Sequence, residues 1–226
     1  MSASLSQYAW RLTSITQLAI QSHGFFDRLY RLPWYGACLR DWQQWLEPKP
    51  NSHILDVGCS SGGLSAELAE RGHRVVAIDR SARAIRYARR HHGHSSVDYM
   101  TGDALRLPPH LGAMNYTLAA SLLNVVQEPA QLVAEMARVT TAGGIVSCLF
   151  PSPNMHHEAA RDFIREHALT GFSATAMSLW TEFANKLEPV TVMELFRRAG
   201  LTDVARRDLL QGMVTAVSGR KRAEDV

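Results

Sequence analysis

Three aspartates, Asp56, Asp79 and Asp103, carry the chemistry most legible in this 226-residue chain. Each closes or follows a short apolar run of the kind that forms a buried strand: HILD at 53–56, VVAID at 75–79, and SVDYM at 96–100 followed by TGDA. The first run leads into Gly58, Cys59, Ser60, Ser61, Gly62 and Gly63, and then into a helical pattern, LSAELAERG. Strand, glycine-rich turn and helix is the arrangement in which a parallel sheet receives a nucleotide-like ligand at the strand's carboxyl end. The glycines let the backbone turn sharply and approach that ligand. Three carboxylates side by side on one rim suit a ligand with an ammonium, a ribose diol and an exocyclic amine. A dinucleotide is the competing ligand, but its loop wants a glycine at position 60, where this chain has Ser, although Gly63 fits the third glycine's place. Asp56, two residues before Gly58, also repels a pyrophosphate and attracts an ammonium.

Taken together, LDVGCSSGG, VVAIDRS and TGDALRLP resemble the signature of class I S-adenosylmethionine-dependent methyltransferases, over residues 50–150 and more loosely over 189–219. The resemblance implies a cofactor site in which Asp56, Gly58, Cys59, Ser60 and Gly62 surround the methionine part. It implies that Asp79, with Arg80 beside it, holds the ribose, and that Asp103 and Ala104 contact the adenine. Ser60 departs from the family's middle glycine. Similar enzymes place a tyrosine from the N-terminal region against the cofactor, and Tyr30 and Tyr35 are the candidates here. Ser121, just past the fourth strand, is expected to face the methionine portion. Family members carry an acid near the start of that strand and a histidine past its end; this chain has Asn115 and Val125 there, so no catalytic histidine carries over.

The elements that must position these groups read as one α/β domain over 1–226: helices in 1–50, the cofactor core in 51–150, a helical cap in 151–188, and a final helix with a hairpin in 189–219. The expected fold is doubly wound, a mostly parallel seven-stranded sheet with an antiparallel C-terminal hairpin. Leu5, Tyr8, Leu12, Ile15 and Ala19 give the N-terminal preamble an apolar helical face. Phe25, Phe26, Tyr30, Trp34, Tyr35, Trp42 and Trp45 crowd the next stretch, with Pro33 opening a helix that Pro48 and Pro50 end. Ser81 is an expected N-cap, and Pro129 opens a further helix. Gly143 and Gly144 are expected to turn the chain into a fifth strand, IVSCLF, and Gln211-Gly212 to form the hairpin turn.

The cap, 151–188, is expected to break near Thr170 and Gly171 and to roof an apolar acceptor pocket with Trp180. His156 and His157, together with Tyr35, are the weak candidates for a group that moves a proton. Arg83, Arg86, Arg89 and Arg90, with His91, His92 and His94, read as a solvated helix face with cations at its C-terminus.

A net charge of +3 makes nucleic acid an unlikely partner, and no aromatic residues interleave with the arginines. Cys38, Cys59 and Cys148 are widely spaced and odd in number, which predicts no metal site, no disulfide framework and a reducing compartment. With no apolar run of bilayer length and no secretory start, a cytoplasmic enzyme is expected. The reading is methyl transfer from S-adenosylmethionine to a small-molecule or lipid-like acceptor, partly apolar, nearest the quinone and small-molecule branch of the family. RNA modification and a non-catalytic cofactor-binding scaffold are the alternatives.

Overall fold

A computed structural model describes residues 22–112 and 114–223. The apolar face from Leu5 to Ala19 lies outside the described residues. The seven strands are β1 (His53–Val57), β2 (Arg74–Asp79), β3 (Val97–Thr101), β4 (Met114–Ala120), β5 (Thr140–Pro151), β6 (Leu201–Leu209) and β7 (Val214–Lys221). They form one sheet in the order β3-β2-β1-β4-β5-β7-β6. The first five run parallel, and β7 inserts antiparallel between β5 and β6. This is the expected sheet.

Strand alternation decides which face each residue serves. Ile54 packs with one apolar cluster, while Leu55 and Val57 pack with another on the opposite face. Asp56 shares the parity of Ile54 and so belongs to the face covered by α1 (Ser22–Tyr30), α2 (Pro33–Leu46) and α3 (Gly63–Glu70). The helix α4 (Ala82–His91) covers Ala77 and Tyr99. On the other face lies α5 (Pro129–Val139) with Leu132, Val133 and Met136 inward, joined by α8 (Pro189–Arg198) with Val192 and Phe196. Pro33 and Pro129 stand at helix starts, and the Ser81 hydroxyl accepts the Ala84 N–H at 3.2 Å. The chain order of β1, α3, β2, α4 and β3 brings the ends of β1, β2 and β4 together around one crevice, because β1 pairs with both β2 and β4.

Two turns differ from expectation. β5 follows α5 directly, from Thr140, and Gly143 and Gly144 sit inside a bulged stretch rather than before the strand. The register jumps from Met114 opposite Thr140 to Tyr116 opposite Ile145. A Cβ on Gly144 would lie 2.8 Å from the Asn115 carbonyl oxygen, so backbone proximity, not chain reversal, explains the glycine. At the other end, Gln211-Gly212 is part of a longer turn in which Leu210, Gln211 and Gly212 all take positive φ, 48°, 56° and 83°.

The cap consists of α6 (His157–Glu166) and α7 (Gly171–Phe183), broken where expected. It packs on the N-terminal helices through aromatic pairs. Trp180 stacks on Trp34 at 6.1 Å between ring centres and meets Tyr35 edge-on at 5.5 Å, and Phe25 meets Phe172 at 5.7 Å. Among the described residues no helix is long and apolar enough to cross a membrane.

Trp42 is fully buried, and its indole N–H donates to the Ser147 hydroxyl at 2.9 Å, which in turn donates to the Val217 carbonyl at 2.9 Å. That chain ties α2 to β5 and β7. Ser147→Ala leaves a buried indole N–H without a partner and is expected to cost about 1–3 kcal/mol of unfolding free energy, read by urea denaturation.

Candidate functional site

Two adjoining cavities occupy the crevice at the carboxyl ends of the central strands. One, of about 380 Å³, is lined by Asp56, Cys59, Ser60, Ser61 and Gly63 from β1 and its loop, by Ser121 and Ala120 beyond β4, and by Phe26, Tyr30, Tyr35 and Leu39 from α1 and α2. The other, of about 430 Å³, is lined by Gly102, Asp103, Ala104 and Leu105 beyond β3, and by Val126 and Gln127. Gly58, Asp79, Arg80, Leu122 and Val125 line both, so the two form one elongated cleft. The three aspartates therefore stand along a single cleft, with Asp79 between Asp56 and Asp103.

Their environments differ sharply. Asp56 is 2% exposed, and its carboxylate accepts the Ser65 hydroxyl at 2.5 Å. Burial pushes its pKa up to about 6; the Ser65 hydrogen bond opposes this, and the negative charge of Asp79 adds to it. Asp79 is half-buried and accepts two backbone N–H groups, from Ser60 at 3.0 Å and from Ser81 at 2.8 Å. Its carboxylate thus fixes the glycine loop to the start of α4 and keeps lone pairs for a ligand. Asp103 is exposed, with one oxygen accepting the Leu105 N–H at 2.9 Å.

The loop itself is held by the Ile78 carbonyl, which accepts from Gly58 at 2.7 Å and from Cys59 at 3.0 Å. Gly58 has φ 78° and Ser60 has φ 47°, so the serine at the family's middle-glycine position adopts the backbone conformation that glycine takes freely. The Cys59 thiol is buried and its pKa is raised well above normal, first by burial and then by Asp56 and Asp79, so it stays a neutral wall group. Ser121 has φ 54°, and its buried hydroxyl oxygen has no partner at hydrogen-bond geometry among the described residues. It faces the Tyr35 phenol closely enough to pull that group's pKa down against the dominant upward push of burial.

Gly62 stands apart from the rest of the expected contact set. It does not line the cleft. Its φ is 87°, its carbonyl accepts the Tyr99 hydroxyl at 3.2 Å, and a Cβ there would lie 2.7 Å from that hydroxyl and 2.8 Å from the Ala88 Cβ. Its role is to let α3 start against Tyr99 and α4. The histidine candidates also lie away from the cleft. His156 is the N-cap of α6, with Nδ1 accepting the Ala159 N–H at 3.3 Å; His157 begins the helix; both are exposed and neither lines the cleft. Proton transfer from those positions has no geometric support. The cap does not roof this cleft: no residue of 151–188 lines either cavity, and Trp180 meets Tyr35, which does. Cap residues Phe163, His167, Leu169 and Ser173 instead line a separate cavity of about 710 Å³ beside Trp34. The HHGH cluster is also less solvated than expected, since His92 Nε2 lies 2.6 Å from the buried Asp27 of α1.

Ser65 and Leu122 also shape the site. Ser65 is a fully buried polar residue on the inward face of α3, and a hydroxyl placed there nine positions after a buried acid is a readable signal. Leu122, whose side chain would meet a Cβ on Gly58 at 3.0 Å, carries no such mark.

Comparison with known proteins agrees with this geometry. Residues 54–144 match the family model described as "Methyltransferase domain". The chain is 31% identical to a demethylmenaquinone methyltransferase of Beutenbergia cavernae, over 88% of this chain and 82% of the relative. It is 28% identical to a 2-phytyl-1,4-naphtoquinone methyltransferase of Thermosynechococcus vestitus, over 93% of this chain and all of the relative. Its fold matches a solved SAM-dependent methyltransferase of Thermotoga maritima with a TM-score of 0.64 at 16% identity, covering 87% of this chain and 94% of that one. It matches a [4+2]-cyclase equally, with a TM-score of 0.64 at 17% identity and 85% of each chain, a reminder that fold alone does not fix the reaction. It is the sequence relationship to methyltransferases, added to this fold, that places the chain in the class I S-adenosylmethionine-dependent methyltransferase family, with S-adenosylmethionine as its methyl donor.

Proposed function

We propose that the cleft binds S-adenosylmethionine along its length and that the chain methylates the reduced ring of a quinone-type small molecule. The observation that carries the reading is the graded rim. A buried carboxylate lies at one end, a doubly anchored one in the middle and an exposed one at the far end. Asp56, with the orphaned Ser121 hydroxyl in the same cavity, suits an ammonium and its neighbouring polar atoms. Asp79 suits a ribose diol, and Asp103 with Ala104 suits the base, with Arg80 bridging the two cavities. Ser60, Gly58 and Cys59 form the floor.

Bound there, S-adenosylmethionine supplies a sulfonium methyl that is already electrophilic. The protein's own residues then have to hold an acceptor in line and keep water out. Phe26, Tyr35, Leu39, Leu122 and Val125 give the first cavity an aromatic and aliphatic wall fit for a flat, partly apolar ring, while Tyr30 walls the side that takes the methyl donor. Burial raises the Tyr30 and Tyr35 phenols above their normal range, so neither is a base at neutral pH, and of the two Tyr35 places the acceptor ring. The proton released when the acceptor gains its methyl leaves with solvent. The quinone class is supported by the kinship to a demethylmenaquinone and a 2-phytyl-1,4-naphtoquinone methyltransferase and by this wall.

The test is turnover of methyl-labelled cofactor with a prenylated naphthoquinol, the same compound oxidised, a catechol and total RNA. Label is expected in the naphthoquinol, with mass spectrometry assigning it to carbon or oxygen. Label in RNA alone, or cofactor binding without transfer to any of the four, would overturn the proposal.

A further inference from the structure

Glu67 stands one turn into α3, behind the cleft wall and outside the residues that line it. Its Oε2 accepts the Tyr30 hydroxyl. Its Oε1 accepts the Arg71 guanidinium at 2.6 Å and the Gln43 amide at 3.5 Å. Three helices thus meet at one carboxylate: α1 through Tyr30, α2 through Gln43, and α3 itself.

Tyr30 needs such a tie. It is the last residue of α1, where backbone hydrogen bonding runs out, yet its ring forms part of the cavity that holds Asp56 and Ser121. The ring sits directly on Gly63, where a Cβ would lie 2.6 Å from it. Gly63 and Glu67 are four residues apart and therefore on one face of α3. A glycine seat and a carboxylate latch on the same face fix both ends of the ring. The helix carrying them is anchored by buried Leu64 and Leu68.

We propose that Glu67 is a positioning residue for the methyl donor, acting through Tyr30 to hold the outer wall of the cleft closed over it. This rests on the reading of the cleft as the S-adenosylmethionine site. A ring released from Glu67 swings with the end of α1 and leaves the methionine end of the cavity open to water, so cofactor affinity falls while the chemistry at a saturated site changes little.

A double-mutant cycle on binding of S-adenosylhomocysteine, measured by calorimetry on the full chain, separates this from a merely structural role. Tyr30→Phe and Glu67→Leu are each expected to weaken binding about tenfold, and the double variant no further. Glu67→Gln, whose amide oxygen still accepts the phenol, is expected to recover most of the loss. In turnover, the KM for the methyl donor rises about as much as the dissociation constant, and kcat stays within about twofold. Wild-type affinity in Glu67→Leu, or losses that add in the double variant, would overturn the proposal. Should Glu67→Leu melt below the assay temperature, Tyr30→Phe decides alone, since unchanged affinity there has the same consequence. Failure of the wild-type chain to bind the ligand at all would sink the cleft assignment instead.

Discussion

Asp56→Asn is expected to weaken S-adenosylmethionine binding by about two orders of magnitude while raising the melting temperature of the ligand-free protein. The first effect follows from the proposed pairing of this buried carboxylate with the ligand ammonium, a loss of roughly 3 kcal/mol for a desolvated charge pair. The second follows from what that carboxylate costs when nothing neutralises it. Its pKa is about 6 in the folded protein against an ordinary 3.8, with burial as the main cause. Between those values the folded state binds more protons than the unfolded chain, so stability falls as pH rises from about 4 to 6, and the cost is present in full above that. Two pKa units correspond to roughly 3 kcal/mol, part of which asparagine recovers while keeping an acceptor for the Ser65 hydroxyl. A rise of a few degrees at pH 8, shrinking toward zero near pH 4, is the expected result by differential scanning calorimetry.

The same titration governs binding. In the wild-type protein, affinity for the cationic ligand should decline as pH drops below about 6, because the site must give up a proton to receive an ammonium. In Asp56→Asn that decline should be absent. A variant that binds as tightly as wild type, or one that loses both affinity and stability, would show that Asp56 is a structural acid and that the ammonium sits elsewhere. The expected pair of results, lost affinity with gained stability, would set function against stability at this residue, the usual mark of a group kept for a ligand rather than for the fold.

What the sequence made legible is tied to backbone and residue type. Asp56, Asp79 and Asp103 could be placed on one rim because strand ends are marked by apolar runs and the parallel order of such units is constrained. Pro33, Pro129 and Ser81 marked helix starts for local reasons. What was not legible depends on contacts between distant elements. His156 looks like any rim histidine until the start of α6 is known, and then its Nδ1 is spent on capping. Trp180 has the composition of a pocket roof, but its position is set by stacking on Trp34, a partner nearly 150 residues away, which leaves Tyr35 as the wall. Gly143 and Gly144 resemble a turn; only the register against Met114 and Tyr116 reveals a bulge.

Gly62 is the sharpest case of a residue whose type is legible in the sequence and whose two possible purposes, ligand contact and helix packing, are not, and alanine substitution should separate them. At Gly62, φ is 87° and an added Cβ would meet Tyr99 and Ala88 at 2.7–2.9 Å. At Gly72, φ is 88° and an added Cβ meets nothing within 4 Å. The backbone penalty, about 1–2 kcal/mol for a non-glycine residue in the left-handed region, is therefore common to both. Only Gly62→Ala adds overpacking of about 1–3 kcal/mol against a ring and a helix that cannot both retreat. Gly62→Ala should accordingly melt roughly 5–15 °C below wild type, and Gly72→Ala no more than about half as far. Because Gly62 does not line the cleft, saturating S-adenosylmethionine should still raise the melting temperature of Gly62→Ala by about as much as it raises that of wild type. Equal losses in the two variants would mean that Tyr99 yields freely. A vanished ligand shift in Gly62→Ala, with its ligand-free melting point little changed, would return Gly62 to the binding surface.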